Sequence, residues 1–291
     1  MKQAHRITAT IFFLSSLSLL TYAQVLYRIQ GKQNILPSYL LGVHELIPAK
    51  AFDQLPGVYQ AFNDCKVVVS EFEINLTQSK EQLLSNALMP SNTTMHSFYN
   101  ASQYALVDSC LKAGIKSSLG ELGRLHPAFT LDLFRNAQMT QAIGILDDVQ
   151  SDAFFQRVAI EKSIPAIGLS DFGRVPSNAF DSLSLVTYAN LLYDECNQKT
   201  DRSKSYAALY AHYTQGNVHG FLETLKGLGM HGKAQPLNAE MFRKLEKLIT
   251  RNACFIVVNM VQLSGENSVV AQLRNAGYEV HAFPKSKMKK K

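Results

Sequence analysis

Two uninterrupted apolar runs, Val67-Val68-Val69 and Phe255-Ile256-Val257-Val258, stand toward opposite ends of a chain whose middle is helical in pattern. Short β-branched runs of this kind read as buried strands. Strands toward both ends with helices between them suggest one sheet completed by both termini. The expected fold is α/β (α+β), with a central mixed sheet built from N- and C-terminal segments and a large helical middle section over about residues 127–250.

The remaining pattern fits around that frame. Val25 to Ile29 and Tyr39 to Leu41 read as strands joined by a polar turn over Gly31 to Asn34, and Ala51 to Asn63 as a short helix. Ser79 with Gln82 resembles a capping box that opens a helix through Met89. Ala101 to Ala113 is periodic, with Gly114 as the stop. Helices are expected at Phe154 to Lys162, Leu183 to Cys196, Ser203 to Thr214, Val218 to Leu228 and Asn238 to Thr250, with one strand, Ile164 to Leu169, among them. After the Cys254 strand come a capped helix, Ser264 to Asn275, and a closing strand, Tyr278 to Phe283.

Both termini look dispensable to the fold. Lys2 and Arg6, the apolar stretch Ile11 to Leu20 and Thr21-Tyr22-Ala23 follow the plan of a cleavable secretory signal over residues 1–23. The apolar part is about ten residues, half the ~20 that span a bilayer, and no later stretch is long enough to cross a membrane. The protein is expected in the periplasm or secreted, as one domain over residues 24–284 followed by a basic tail, 285–291. The formal net charge is +6, but Lys2 and Arg6 leave with the signal, and Lys285, Lys287, Lys289, Lys290 and Lys291 sit in the tail. The body between is close to neutral, which speaks against a nucleic-acid partner. Cys65, Cys110, Cys196 and Cys254 have no zinc-site spacing, and four cysteines allow three complete pairings.

Common catalytic motifs do not fit. Gly168-Leu169-Ser170-Asp171-Phe172-Gly173 lacks the glycine two places after the serine that a nucleophile elbow needs. His44-Glu45 lacks the second histidine of a zincin helix. His212, His219 and His231 have no ligand spacing. Asn75, Asn92 and Asn100 match the glycosylation acceptor pattern.

A set of segments does match a known family in order and spacing. Tyr27-Arg28-Ile29 with Pro37-Ser38-Tyr39-Leu40-Leu41-Gly42-Val43-His44-Glu45-Leu46 resembles the opening of the TraB/GumN family, and Val67-Val68-Val69-Ser70-Glu71 its second strand. Phe154-Phe155-Gln156 and Ile167-Gly168-Leu169 resemble its middle, Leu237-Asn238-Ala239-Glu240 the entry to its last long helix. Phe255 through Asn267, continued by Gln272 to Val280, is the fullest match. The family is linked to metal-dependent hydrolysis, and its animal members, the Tiki proteins, are proteases. The resemblance implies a site built on two Gly-x-x-His motifs, in which histidine and carboxylate hold a divalent ion that activates water.

This chain departs from that plan. Glu45 stands at the first histidine position, with His44 one place early, and Gln262 stands at the second. Ser170 replaces a glutamate and Leu237 an arginine, while Glu71 is retained. The resemblance therefore implies a non-catalytic member that binds a protein, peptide or polysaccharide and needs no cofactor. The alternative is a divalent-metal-dependent hydrolase or peptidase with a rearranged site. There Glu71 is catalytic, and His44, Glu45 and Glu71 form a carboxylate-rich set better suited to manganese or calcium than to zinc. The leader makes one test immediate: the intact mass of exported protein should correspond to a chain starting at or near Gln24, and a mass that retains Met1 to Ala23 refutes the cleavage.

Overall fold

Strand β5 (Cys254–Asn259) is buried along all but its last residue, because parallel partners flank it on both edges. One is β2 (Ser38–Val43), every residue of which is buried; the other is β3 (Val67–Phe72). The computed structural model describes residues 24–31, 36–72, 87–145, 151–170, 184–198, 202–230 and 237–283. Its six strands run in the order β4-β3-β5-β2-β1-β6. β4 (Ala166–Ser170) pairs parallel with β3, while β1 (Leu26–Gln30) is antiparallel to both β2 and the closing strand β6 (Glu279–Ala282). The sheet is mixed and its centre comes from both ends of the chain, as the two apolar runs suggest.

An aromatic cluster covers one side of β5. Phe255 lies 5.6 Å from the ring of Phe62 on α1 (Val58–Asp64) and 4.7 Å from Phe155 on α4 (Ser151–Glu161). Phe52 joins at 4.8 Å from Phe155. Burying such rings contributes about 1.5–3 kcal/mol each. The expected single helix over Ala51 to Asn63 is in fact two pieces, a 3-10 turn at Ala49–Gln54 and α1. Pro56 and Gly57 break it, and Gly57 takes φ 84, a left-handed conformation natural to glycine.

The helical section forms a second, smaller core. It is made by α2 (Ala101–Ile115), α3 (Pro127–Ile143) and α5 (Leu185–Asn197), around Val107, Leu111, Phe134 and Leu192. Gly114 does not stop α2; the helix runs on to Lys116, which caps it with φ 60. At the other end Asn100 and Gln103 form a capping box, so the asparagine of that glycosylation pattern is the N-cap. Buried Glu195 of α5 accepts from Arg135 of α3 at 3.2 Å and from Arg202, just before α6 (Ser203–Thr214), at 2.7 Å. That three-way pair satisfies a carboxylate that would be costly alone. α7 (Val218–Gly227) packs on α6, and α8 (Ala239–Arg251), capped by Asn238, leads back to β5.

Near the C-terminus the expected helix from Ser264 begins later: Ser268 caps α9 (Val269–Asn275), and Met260–Leu263 is a separate 3-10 turn. The signal over residues 1–23, most of the Gly31 to Asn34 turn, most of the helix from Ser79, His231 and the basic tail 285–291 lie outside the described residues. No described helix is long and apolar enough to cross a membrane.

One buried hydroxyl joins the helical section to the sheet. Tyr213 of α6 is fully buried and its Oη donates to the Gly42 carbonyl at 2.9 Å. Tyr213→Phe leaves that carbonyl short of a donor. It should lower unfolding free energy by about 1–3 kcal/mol, read as a shifted urea midpoint at unchanged slope; an unshifted midpoint refutes the role.

Candidate functional site

The register of β2 against β5 places the two family motifs side by side. Gly42 pairs with Val258 and Val43 with Asn259, so Gly42 to Glu45 and Asn259 to Gln262 leave adjacent parallel strands at the same edge. This is the carboxyl edge, where open α/β sheets bind their ligands. β3 ends there too, with Ser70 beside Val257 and Glu71 next in line. A side chain at Gly42 would run into Leu263 and Met260, so the glycine allows the turn after β5 to pack over β2.

A cavity of about 240 Å³ opens at this edge, lined by His44, Glu45, Ser70, Glu71, Gln156 and Asn259 among others. Gln262 closes over Glu71: its amide Nε2 donates to Glu71 Oε1. The backbone of Asn259 donates to the same carboxylate. The Asn259 side chain is spent locally, since it accepts from the Val261 N–H at 3.0 Å and caps the 3-10 turn that carries Gln262. The residue at the family's glycine position thus helps to aim the residue at its histidine position.

His44 is buried on the other side of the motif. Its backbone N–H donates to Ser151 Oγ at 3.2 Å, and Ser151 Oγ donates back to the His44 carbonyl at 2.9 Å. The ring packs edge-on against Phe221 of α7, with centroids 5.3 Å apart. Nδ1 accepts from the Leu46 N–H at 3.2 Å. A ring nitrogen that accepts holds no proton, so in this arrangement the proton resides on Nε2. Glu45 Oε2, 3.5 Å from Nδ1, therefore meets an unprotonated nitrogen rather than an ion-pair partner.

This donor set does not fit the divalent ion that the family plan implies. A ligating histidine gives its second ring N–H to an acceptor and coordinates through the other, unprotonated nitrogen. In His44 the unprotonated nitrogen, Nδ1, is already engaged by the Leu46 N–H. Gln262 presents an amide N–H to Glu71, and Glu71 is already engaged by two donors. Among the described residues, no group of three or more His, Cys, Asp or Glu side chains is disposed to hold a metal. Ser170 lies on β4 beside Phe72, and Leu237 is buried in the main core, where a charged side chain would be costly.

Three residues of the site escaped the sequence reading. Ser151 opens α4 and ties it to the His44 turn; nothing local marks it. Gln156 Nε2 donates to the Phe72 carbonyl at 3.0 Å and holds the end of β3; it was visible only as part of the resembling segment. The Asp132 carboxyl of α3 is pushed up to about 6, chiefly by loss of hydration around it and in part by the Glu45 charge. Asp132 nonetheless remains exposed, so water screens it more than it screens Glu71.

Burial pushes the Glu71 carboxyl up to about 7; the Gln262 and Asn259 donors pull it back, and the Glu45 charge adds to the rise. The folded protein thus holds this proton more tightly than the unfolded chain, where the value is 4.5. That contribution to stability is complete below about pH 4.5 and is lost as pH rises through about 7, on the order of 2–3 kcal/mol. Glu71→Gln does not titrate. Its stability relative to the parent should rise between pH 5 and pH 8 by that order, measured as unfolding midpoints; parallel curves refute the shift.

The same elements can be set against known proteins. The family model described as the TraB/PrgY/gumN family matches residues 25–282, from the start of β1 to the end of β6. No curated protein and no solved structure matched the chain. The match takes in all six strands and both motif turns, and the chain belongs to the TraB/PrgY/gumN family.

Proposed function

We propose that this protein is an exported, non-catalytic member of its family, which uses the Glu71 pocket to bind a group of a peptide, protein or polysaccharide partner. The observation that carries the reading is the Gln262 amide on the Glu71 carboxylate. Metal-assisted hydrolysis needs about three protein ligands and an open position for water. At this edge the amide takes the place of a ligand and occupies the carboxylate that would be another. The pocket's volume, about 240 Å³, suits a single side chain or sugar substituent rather than a whole substrate. Glu45 and Glu71 line it, which favours a group that donates hydrogen bonds, such as an amine. Residues 1–23, with the plan of a secretory signal, support a periplasmic or secreted location.

The Glu45 charge, which opposes ionisation of Glu71 and Asp132, also favours a second reading. A hard divalent cation, manganese or calcium, would offset it, and the protein would then be a hydrolase with a rearranged site. One experiment separates the two. Purified protein is titrated with manganese, cobalt, zinc and calcium by calorimetry, and incubated with a mixed peptide library under the same conditions. Neither stoichiometric binding nor cleavage is expected. Stoichiometric binding together with cleavage that disappears in Glu71→Ala overturns the non-catalytic reading.

A further inference from the structure

The helical section holds a second pair of reactive groups, far in sequence from the Glu71 pocket and unrelated to it. Cys110 of α2 and Cys196 of α5 are brought together where these helices pack, and their thiols hydrogen-bond to each other. Both are half-buried, and both line a cavity of about 570 Å³ with Phe134, Glu195, Arg202 and Tyr206. Two thiols that face one another on helices held by a shared core, and that line one cavity, are placed for a cross-link. The open cavity gives a small oxidant access.

We propose that Cys110 and Cys196 are a disulfide-forming pair that cross-links α2 to α5, while Cys65 and Cys254 remain thiols. The oxidant is a small-molecule or protein disulfide. The Cys110 thiolate attacks one of its sulfurs, breaks that S–S bond and releases one thiolate. Cys196 then attacks the Cys110 sulfur of the mixed disulfide and expels the second thiolate. One S–S bond forms in the protein and one is lost from the oxidant, two electrons pass to the oxidant, and the two cysteine protons end on the two released thiols.

The surroundings favour this order. The hydrogen bond from the Cys196 thiol holds the Cys110 sulfur below the usual thiol range, so Cys110 is the better first nucleophile. The Cys196 thiol is raised chiefly by that same contact, with burial and the Glu195 charge adding to it. Once Cys110 is capped in the mixed disulfide, its anionic partner is gone and that obstacle goes with it. Cys65 and Cys254 are different. Both are buried, and burial pushes each thiol up to about 12, which leaves them protonated and shielded. The cross-link would also serve the fold. The core around Val107, Leu111 and Leu192 is small and separate from the main one, and small cores gain most from a covalent staple.

The test uses the full purified chain, first reduced, then exposed to glutathione disulfide. It is afterwards alkylated under denaturing conditions and mapped by peptide mass spectrometry. The expected result is one cross-linked peptide pair containing Cys110 and Cys196, with Cys65 and Cys254 alkylated. The oxidised chain should melt roughly 5–15 °C above the reduced one. Cys196→Ser should stop at a glutathione adduct on Cys110. Four alkylated cysteines after oxidation, or a cross-link through Cys65 or Cys254, overturns the proposal. The parental peptide map decides the matter even if the variant fails to fold.

Discussion

Strands β2 and β5 pair in parallel, with Leu41 beside Val257 and Gly42 beside Val258, and the rest of the molecule is arranged by that register. It joins segments about two hundred residues apart, so the whole helical section becomes the crossover between them. It also decides which residues share an edge. A shift of one residue would turn every side chain of a strand to the opposite face; the neighbouring β3–β5 register brings Glu71 to Gln262. The β2–β5 register is held because both strands are buried on both faces and because Gly42 leaves room for Leu263 and Met260 to lie across it.

The pocket at that edge is stabilised by groups that a metal-binding site would leave open. Asn259 caps the turn that presents Gln262, Gln262 donates to Glu71, and the Leu46 N–H occupies Nδ1 of His44. Each contact satisfies a buried polar atom, which lowers the cost of its desolvation. The Gln262 and Leu46 donors also use lone pairs that coordination would need. The substitutions at this edge are thus not scattered losses. At the second motif they form a hydrogen-bond set in which the Gln262 amide engages Glu71 where the resembling pattern has an imidazole.

Of the helical section, α4, α6, α7 and α8 pack into the main core with the sheet, and a few side chains reach from them to the edge itself. Tyr213 reaches the Gly42 carbonyl, Phe221 covers the His44 ring and Ser151 holds the turn after β2. The second core, around Leu111 and Leu192, is distinct, and the buried Glu195 with Arg135 and Arg202 links its helices.

By itself the sequence determined the fold class, the strands and most helices. These depend on periodicity and on capping residues within a few positions of one another, as at Ser203 to Thr214 or the run Cys254 to Val258. The apolar strands before Glu45, Glu71 and Gln262 also pointed to one sheet, although their spatial order, β3-β5-β2, is not their order along the chain. The break at Pro56-Gly57 was legible in those two residues and was overlooked; the extension of α2 past Gly114 was not, because a glycine can end a helix or sit inside one. Only the tertiary structure decided what the site residues do with their hydrogen bonds. The Nδ1 of His44 accepts from a neighbouring N–H because the turn folds back on itself, and Ser151 and Asp132 reach the edge from distant helices. Such contacts form between residues with no regular spacing, set by packing across the sheet rather than by any local pattern.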